Sequence, residues 1–409
     1  MYKKYRNWLL FTVAGVLASV IAFNILMDPF LVFGSPLIEG INARKPAVAK
    51  QQRLAKAYAI RHFRPQAIIL GTSRAEQGLD PEHPAFSGLI GYNLGLPGAT
   101  IYESRRYFEH AVAVRTPEVV VLTLDFFAFN AERDEATDFV EQRLASNPGA
   151  PPFYAQDFVK AALGSKTIIG SKDTAKKQSQ LVYRISGFAE PARQISRDHR
   201  KVFIETERAY MKGVWLIGKP GKYEFANHAR DSFENYRKII DIAHQRNIRL
   251  YLVTSPIHAR MLEVMDTMGL QPKFEEWKRA LVKINAEQAW ANSAESFPLW
   301  DFTGYNSITS EPVPGADEED KRMQWYSEGA HYRAETGDLV LNKVFGLNDR
   351  MAPEDFGKLV TADNIDEHLA SIRQERVRYL SRHPQDMSEI ANIARELGID
   401  AASKKLASR

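Results

Sequence analysis

Ala67-Ile68-Ile69-Leu70-Gly71-Thr72-Ser73-Arg74 is the stretch on which the fold turns. Four consecutive apolar residues without polar alternation describe a strand buried on both faces, as in a parallel sheet sandwiched by helices. The glycine that ends the run, and the hydroxyl residues after it, describe a turn from strand into helix. The same pattern recurs outward along the chain. Tyr92-Asn93-Leu94 ends at Gly95, Val119 to Leu124 ends at Asp125, Ile248 to Val253 ends at Thr254-Ser255-Pro256, and Phe297 to Trp300 ends at Asp301. Helical spacing fills the gaps, most clearly from Tyr102 to Val114. The expected architecture is α/β: a three-layer α/β/α domain over residues 65–350 around a five-stranded parallel sheet of the doubly wound kind.

Two stretches break this rhythm. Residues 131–228 are mostly polar and helix-prone, with a lysine-rich segment from Ser171 to Lys177 and a turn at Gly218-Lys219-Pro220-Gly221. They read as an insertion and a candidate lid over the active edge of the sheet. Residues 351–409 form a helical tail: Asn364 with Glu367 reads as a capping box, and Met387, Ile390, Ile393 and Leu397 mark a second helix stopped by Gly398. Before the domain, residues 31–64 form a linker and a helix whose basic positions (Lys50, Arg53, Lys56, Arg61) read as a solvated face.

A 409-residue chain with 25% charged residues and a formal charge of +4 carries too little basic excess to mark a nucleic-acid binder. It holds 0 cysteines, which excludes disulfides, zinc–thiolate sites and a catalytic thiol. Lys3, Lys4 and Arg6 precede an apolar run from Leu9 to Met27. At 1.5 Å per residue that run covers roughly 28 Å, close to the hydrocarbon thickness of a bilayer. Residues 1–30 therefore read as a signal anchor with a cytoplasmic N-terminus and the main domain outside. A cleaved signal peptide is the competing reading; Asp28-Pro29-Phe30-Leu31, where a small-residue cleavage site would stand, argues against it.

In an open parallel sheet, ligands bind outside the carboxyl ends of the strands. Ser73 falls there, with its hydroxyl at the mouth of the sheet and its own N–H directed at a developing oxyanion. A serine in this position also serves commonly as a helix cap. The distant segment Tyr326-Ser327-Glu328-Gly329-Ala330-His331-Tyr332 tips the balance. A carboxylate three residues before a histidine can orient the imidazole so that it accepts a serine proton. Ser255-Pro256-Ile257-His258-Ala259-Arg260 follows the fourth strand, so His258 and Arg260 are candidates for the substrate groove, with a structural role equally open for His258. Phe126, Phe127, Tyr305, Trp325 and Tyr326 offer aromatic faces for sugar rings, or core packing. The acidic run Asp317 to Asp320 reads as a solvated loop, and no metal or cofactor motif is present.

These residues resemble the SGNH hydrolase superfamily, in particular membrane-anchored periplasmic proteins of polysaccharide O-acetylation and D-alanylation. Ile69-Leu70-Gly71-Thr72-Ser73-Arg74 looks like the first block, which supplies the nucleophile, and Asn93-Leu94-Gly95 like the second, whose glycine N–H joins the oxyanion hole. Glu328 and His331 stand where the last block, Asp-x-x-His, is expected. The resemblance covers roughly residues 65–345. It departs from the family in two ways: Glu328 replaces aspartate, and Gly-x-Asn-Asp is missing after the third strand, which ends in Thr123-Leu124-Asp125-Phe126-Phe127. An α/β-hydrolase elbow, which Gly71 to Ala75 nearly matches, requires several strands before it, whereas only one helix and the anchor precede this one. The resemblance implies an SGNH, flavodoxin-like fold and acyl transfer through Ser73, His331 and Glu328. It further implies Ser73 and Gly95 N–H groups in the oxyanion hole, and Arg74, Asn93, Asp125, His258, Arg260 and Tyr326 near substrate. The implied acceptor is a polysaccharide, and the implied partner a polytopic membrane acyltransferase in the bacterial inner membrane.

Overall fold

Each of the apolar runs does form a strand, and the sheet they build is wider than the runs alone foretell. The structure is a computed structural model and describes residues 2–145, 154–178, 183–190, 198–215, 223–315, 318, 321–347 and 352–399. The turn at Gly218 to Gly221 and the acidic Asp317, Glu319 and Asp320 lie outside the described residues.

The chain begins with α1 (Tyr2–Met27), long and apolar enough to cross a membrane. After α2 (Gln52–Phe63) come β1 (Ala67–Leu70), α3 (Ser73–Gly78), β2 (Gly91–Asn93), α4 (Ile101–Val114) and β3 (Val119–Leu124). The region between β3 and the next strand holds α5 (Ala155–Leu163), α6 (Ser165–Lys176) and α7 (His199–Ala209). The alternation then resumes with α8 (Ser232–Gln245), β4 (Arg249–Thr254), α9 (Ala259–Thr267), α10 (Gln271–Ala291) and β5 (Leu299–Asp301). A small hairpin follows, β6 (Tyr326–Glu328) and β7 (His331–Tyr332), and then α11 (Ala334–Phe345), β8 (Lys358–Val360), α12 (Ile365–Arg382) and α13 (Pro384–Glu396).

The main sheet has 6 strands in the order β2-β1-β3-β4-β5-β8, not five. The first five run parallel, whereas β8 pairs antiparallel with β5 through Leu299–Val360 and Trp300–Leu359. Burial on both faces follows the pleat. Ile68, Leu70, Val120, Leu122 and Leu252 join one apolar cluster with residues of α2, α4, α8 and α10. Ala67, Ile69, Val119, Val121 and Val253 join a second with Leu79 and residues of α11.

Two local expectations are overturned. Two of the basic residues are not solvated: Arg53 pairs with Glu103 at 2.8 Å and Lys56 with Glu76 at 3.0 Å, all buried, whereas Lys50 stays exposed. Two charges without water need partners this close, and α4 and α3 supply them. No capping box opens α12. The Asn364 side chain instead accepts from the Thr361 N–H and donates to the Leu359 carbonyl, which ties the helix start to β8.

α12 and α13 pack on the domain through ion pairs as well as apolar residues. Arg260, fully buried, binds Glu207 of α7 at 2.6 Å and Asp386 and Glu389 of α13 at 2.6 and 2.9 Å. Asp301, at the end of β5, accepts from Lys278 at 2.6 Å and sits 2.8 Å from His368 of α12. Burial raises the Asp301 carboxyl, but Lys278 and His368 outweigh it and hold it far below the usual carboxylate range.

Candidate active site

Backbone geometry alone selects the residue that opens the site. Gly71 has φ +147°, and an added Cβ would lie 1.9 Å from Thr123 Oγ1, so only glycine lets β1 pass this close to β3. The chain then enters α3, with Thr72 as N-cap accepting from the Arg74 N–H. Ser73 is thereby the first helical residue, a position whose N–H has no intrahelical acceptor. Its side chain is half-buried rather than sealed.

The β6–β7 hairpin carries the other half. Its two-residue turn, Gly329-Ala330, places Glu328 and His331 opposite one another across the ladder. Ser73 Oγ lies 2.7 Å from His331 Nε2, and His331 Nδ1 bonds Glu328 Oε1. With Glu328 ionised, Nδ1–H donates to it and Nε2 is left to accept from the serine hydroxyl. Three residues singled out from the sequence, separated by up to 258 positions, form one hydrogen-bonded line. Burial alone would raise the Glu328 carboxyl. The charge and hydrogen bond of His331, the Ala330 N–H (2.7 Å) and the Thr206 hydroxyl outweigh it and hold the carboxyl below its ordinary range.

Arg74 and Asp125 are drawn inward, away from any substrate. Arg74 donates from Nε to the Ala330 carbonyl (2.8 Å) and from Nη1 to Asp125 Oδ1 (2.6 Å), while Asp125 Oδ2 accepts from Thr72 Oγ1 (2.6 Å). The arginine therefore bolts the Ser73 turn to the end of β3 and to the residue before His331. The void bounded by Arg74, Asp125, Phe126 and Ser255 is about 10 Å³, room for one water at most. Asp125, the residue that follows β3, is wholly taken up by this clamp.

Several further placements correct the sequence reading. The Gly95 N–H does not stand free for an oxyanion, because it donates to Asn93 Oδ1 at 2.8 Å. Asn93 is itself fully buried, with its amide donating to the Ala75 and Leu79 carbonyls, so it braces α3 instead of meeting substrate. An added Cβ on Gly95 would come within 2.6 Å of the Glu76 nitrogen; the glycine serves close packing against α3. His258 and Arg260 do not line a groove. His258 caps α9 and meets the Glu311 carbonyl at 2.7 Å, and its N–H donates to the Gly329 carbonyl at 3.1 Å, behind the hairpin. Burial pulls its imidazole down to about 3, so it is neutral at physiological pH. Tyr326 is 0% exposed, its ring edge-on to His258 at 5.0 Å, and cannot stack on a sugar. Phe126 and Phe127 are likewise core residues.

Thr206 escaped the sequence reading. It belongs to α7, in the insertion, and no motif marks a threonine that will reach a carboxylate more than a hundred residues away. His199, on the same helix, accepts from the Met323 N–H at 3.4 Å just before β6, and α7 packs on β6. The insertion thus does reach the active edge through α7, while α5 and α6 pack elsewhere, against α1. Among the described residues no cluster of His, Asp and Glu has metal-binding geometry. No family model, curated protein or solved structure matches this chain.

Proposed function

We propose that the protein is a serine-dependent acyl transferase or esterase of SGNH-like, three-layer α/β/α build, acting outside the cytoplasm on a cell-surface or exported polysaccharide. The observation that carries this reading is the line Ser73 Oγ–His331 Nε2–Glu328 at the carboxyl edge of a parallel sheet. In the proposed reaction Ser73 Oγ attacks the acyl carbonyl as His331 Nε2 takes its proton, and Glu328 stabilises the imidazolium. The Ser73 N–H supports the oxyanion. Collapse of the tetrahedral intermediate expels the donor's leaving group, which takes the proton from His331. A sugar hydroxyl, or water, then attacks the acyl-serine and gives its proton to His331; collapse of that second intermediate expels Ser73 Oγ, which takes the proton back from His331.

The basic residues Lys3, Lys4 and Arg6, at the start of α1 ahead of its apolar run, support a cytoplasmic N-terminus and a periplasmic domain at a bacterial inner membrane. An acyl donor from the cytoplasm would then need a polytopic membrane acyltransferase as partner. A second reading, a non-catalytic polysaccharide-binding or scaffolding subunit, is favoured by one observation: the Gly95 N–H and Asp125, at two of the family's oxyanion blocks, are both consumed by internal hydrogen bonds.

Intact-mass measurement after exposure to an activated acetyl ester separates the two readings. The enzyme reading expects an acetyl adduct on the wild-type chain that is missing from Ser73→Ala. A wild-type chain that gains no adduct and cleaves no ester faster than Ser73→Ala leaves the non-catalytic reading.

A further inference from the structure

The helical pair α5–α6 has no part in the Ser73 site, yet it is built with care against α1. Asn24 of α1 is fully buried; its amide donates to the Ala162 carbonyl of α5 at 2.8 Å and its oxygen accepts from Ser171 of α6 at 2.8 Å. The far ends of both helices are held in the domain. Asp157, in the first turn of α5, accepts from Arg143 and Tyr58, and Gln178, just past α6, bonds both ways with the backbone of Arg44. The connection between the helices, Leu163-Gly164-Ser165, therefore points back along α1, toward its N-terminus, beyond the level of Asn24.

That level lies inside the apolar run. Asn24 precedes Met27 by three residues, about 4.5 Å of helix rise. One turn further along α6, Ile168 joins Lys172 and the α1 residues Thr12, Gly15, Val16, Ser19, Val20 and Phe23 around an open groove of about 640 Å³. Facing outward from the pair are Val159, Leu163 and Ile169, 60%, 45% and 57% exposed. Around them stand Lys160, Lys166, Lys172 and Lys176, exposed and without a carboxylate partner among the described residues. Exposed apolar side chains ringed by unpaired lysines, continuous with a spanning helix, match the apolar depth and anionic phosphate layer of a leaflet.

We infer that α5–α6 is a membrane-seated foot: Leu163, Ile169 and Val159 enter the outer part of the leaflet beside α1, and the four lysines hold the phosphates of anionic lipid. The foot rests on the reading of α1 as the spanning helix. It fixes the domain's tilt over the bilayer, so that the Ser73 edge is held at a set height and direction instead of swinging on a tether.

The absence of cysteine allows a direct test on the full chain. Single variants V16C, L163C, I169C and W290C, the last at an 86% exposed position, are labelled with a fluorophore and reconstituted alone in nanodiscs of phosphatidylcholine with phosphatidylglycerol. Nitroxide-bearing lipid is expected to quench V16C, L163C and I169C, and iodide to quench only W290C. Changing to phosphatidylcholine alone should weaken lipid quenching at I169C while V16C stays constant. If L163C and I169C follow W290C while V16C remains lipid-quenched, the foot does not touch lipid and its apolar face belongs to a protein partner. If V16C itself is reached by iodide and not by lipid, the anchor fails and the foot falls with it.

Discussion

In the proposed reaction, Glu328 is the residue that turns a serine–histidine contact into a directed proton path. Replacing it with glutamine keeps the size but removes the charge that stabilises imidazolium and fixes its tautomer. Glu328→Gln is expected to lower the rate of Ser73 acylation by roughly 10³-fold or more, measured with an activated ester, while the melting temperature changes little. An unchanged rate would remove Glu328 from the chemistry. Arg74 makes the opposite kind of demand. Arg74→Met leaves the Asp125 carboxylate buried without its charged partner, a loss of about 3–5 kcal/mol in urea unfolding. The double change Arg74→Met with Asp125→Leu should recover much of that loss, because the uncompensated charge is gone. Ser73, Glu328 and His331 were legible because each is tied to a pattern: a strand end for the serine, a three-residue spacing for the pair. Arg74, Asp125, His258 and Arg260 sat at equally suggestive strand ends. Whether such a polar residue faces solvent or a buried partner depends on side-chain direction, which spacing does not carry.

At the scale of elements, α7 connects the insertion to the Ser73–His331–Glu328 line. Thr206→Val removes one hydrogen bond to an ionised carboxylate, worth about 1.5 kcal/mol, and should slow acylation by about tenfold without altering the fold. Circular dichroism alongside the rate separates a lost bond from a displaced helix. β1, β3 and β4 were readable as continuous apolar runs. β8 was not, since Lys358-Leu359-Val360 is too short and too mixed to differ from a loop, and it becomes a strand only because β5 offers an unpaired edge. The same holds for the α2 basic face, whose carboxylate partners Glu103 and Glu76 arrive from other elements.

At the scale of the whole molecule, the buried histidines His110 and His258 give stability an acid limit. Burial pulls His110 down to about 4 and His258 to about 3, from an ordinary value of 6.5. Between those values the unfolded chain binds protons that the folded chain refuses, so stability is full above about pH 6.5 and declines as pH falls toward 4 and then 3. The depressed carboxyls of Glu328 and Asp301 push the same way in more acid solution. Thermal melts at a series of pH values should show a falling midpoint across this window. A flat profile from pH 7 to 4 would mean that the two imidazoles gain protons without unfolding.

The pairing of Arg260 with α13 bears on how the chain is made. Arg260 and Asp386 are separated by 126 positions, so a growing chain supplies Glu207, one carboxylate partner of the arginine, long before Asp386 and Glu389. Until α13 has been made, Arg260 has only Glu207 to pair with, and the faces of α7 and α9 that α13 covers stay open. A chain that stops short of α13 is therefore expected to leave Arg260 with one carboxylate instead of three, and to be cut faster by protease than the full chain.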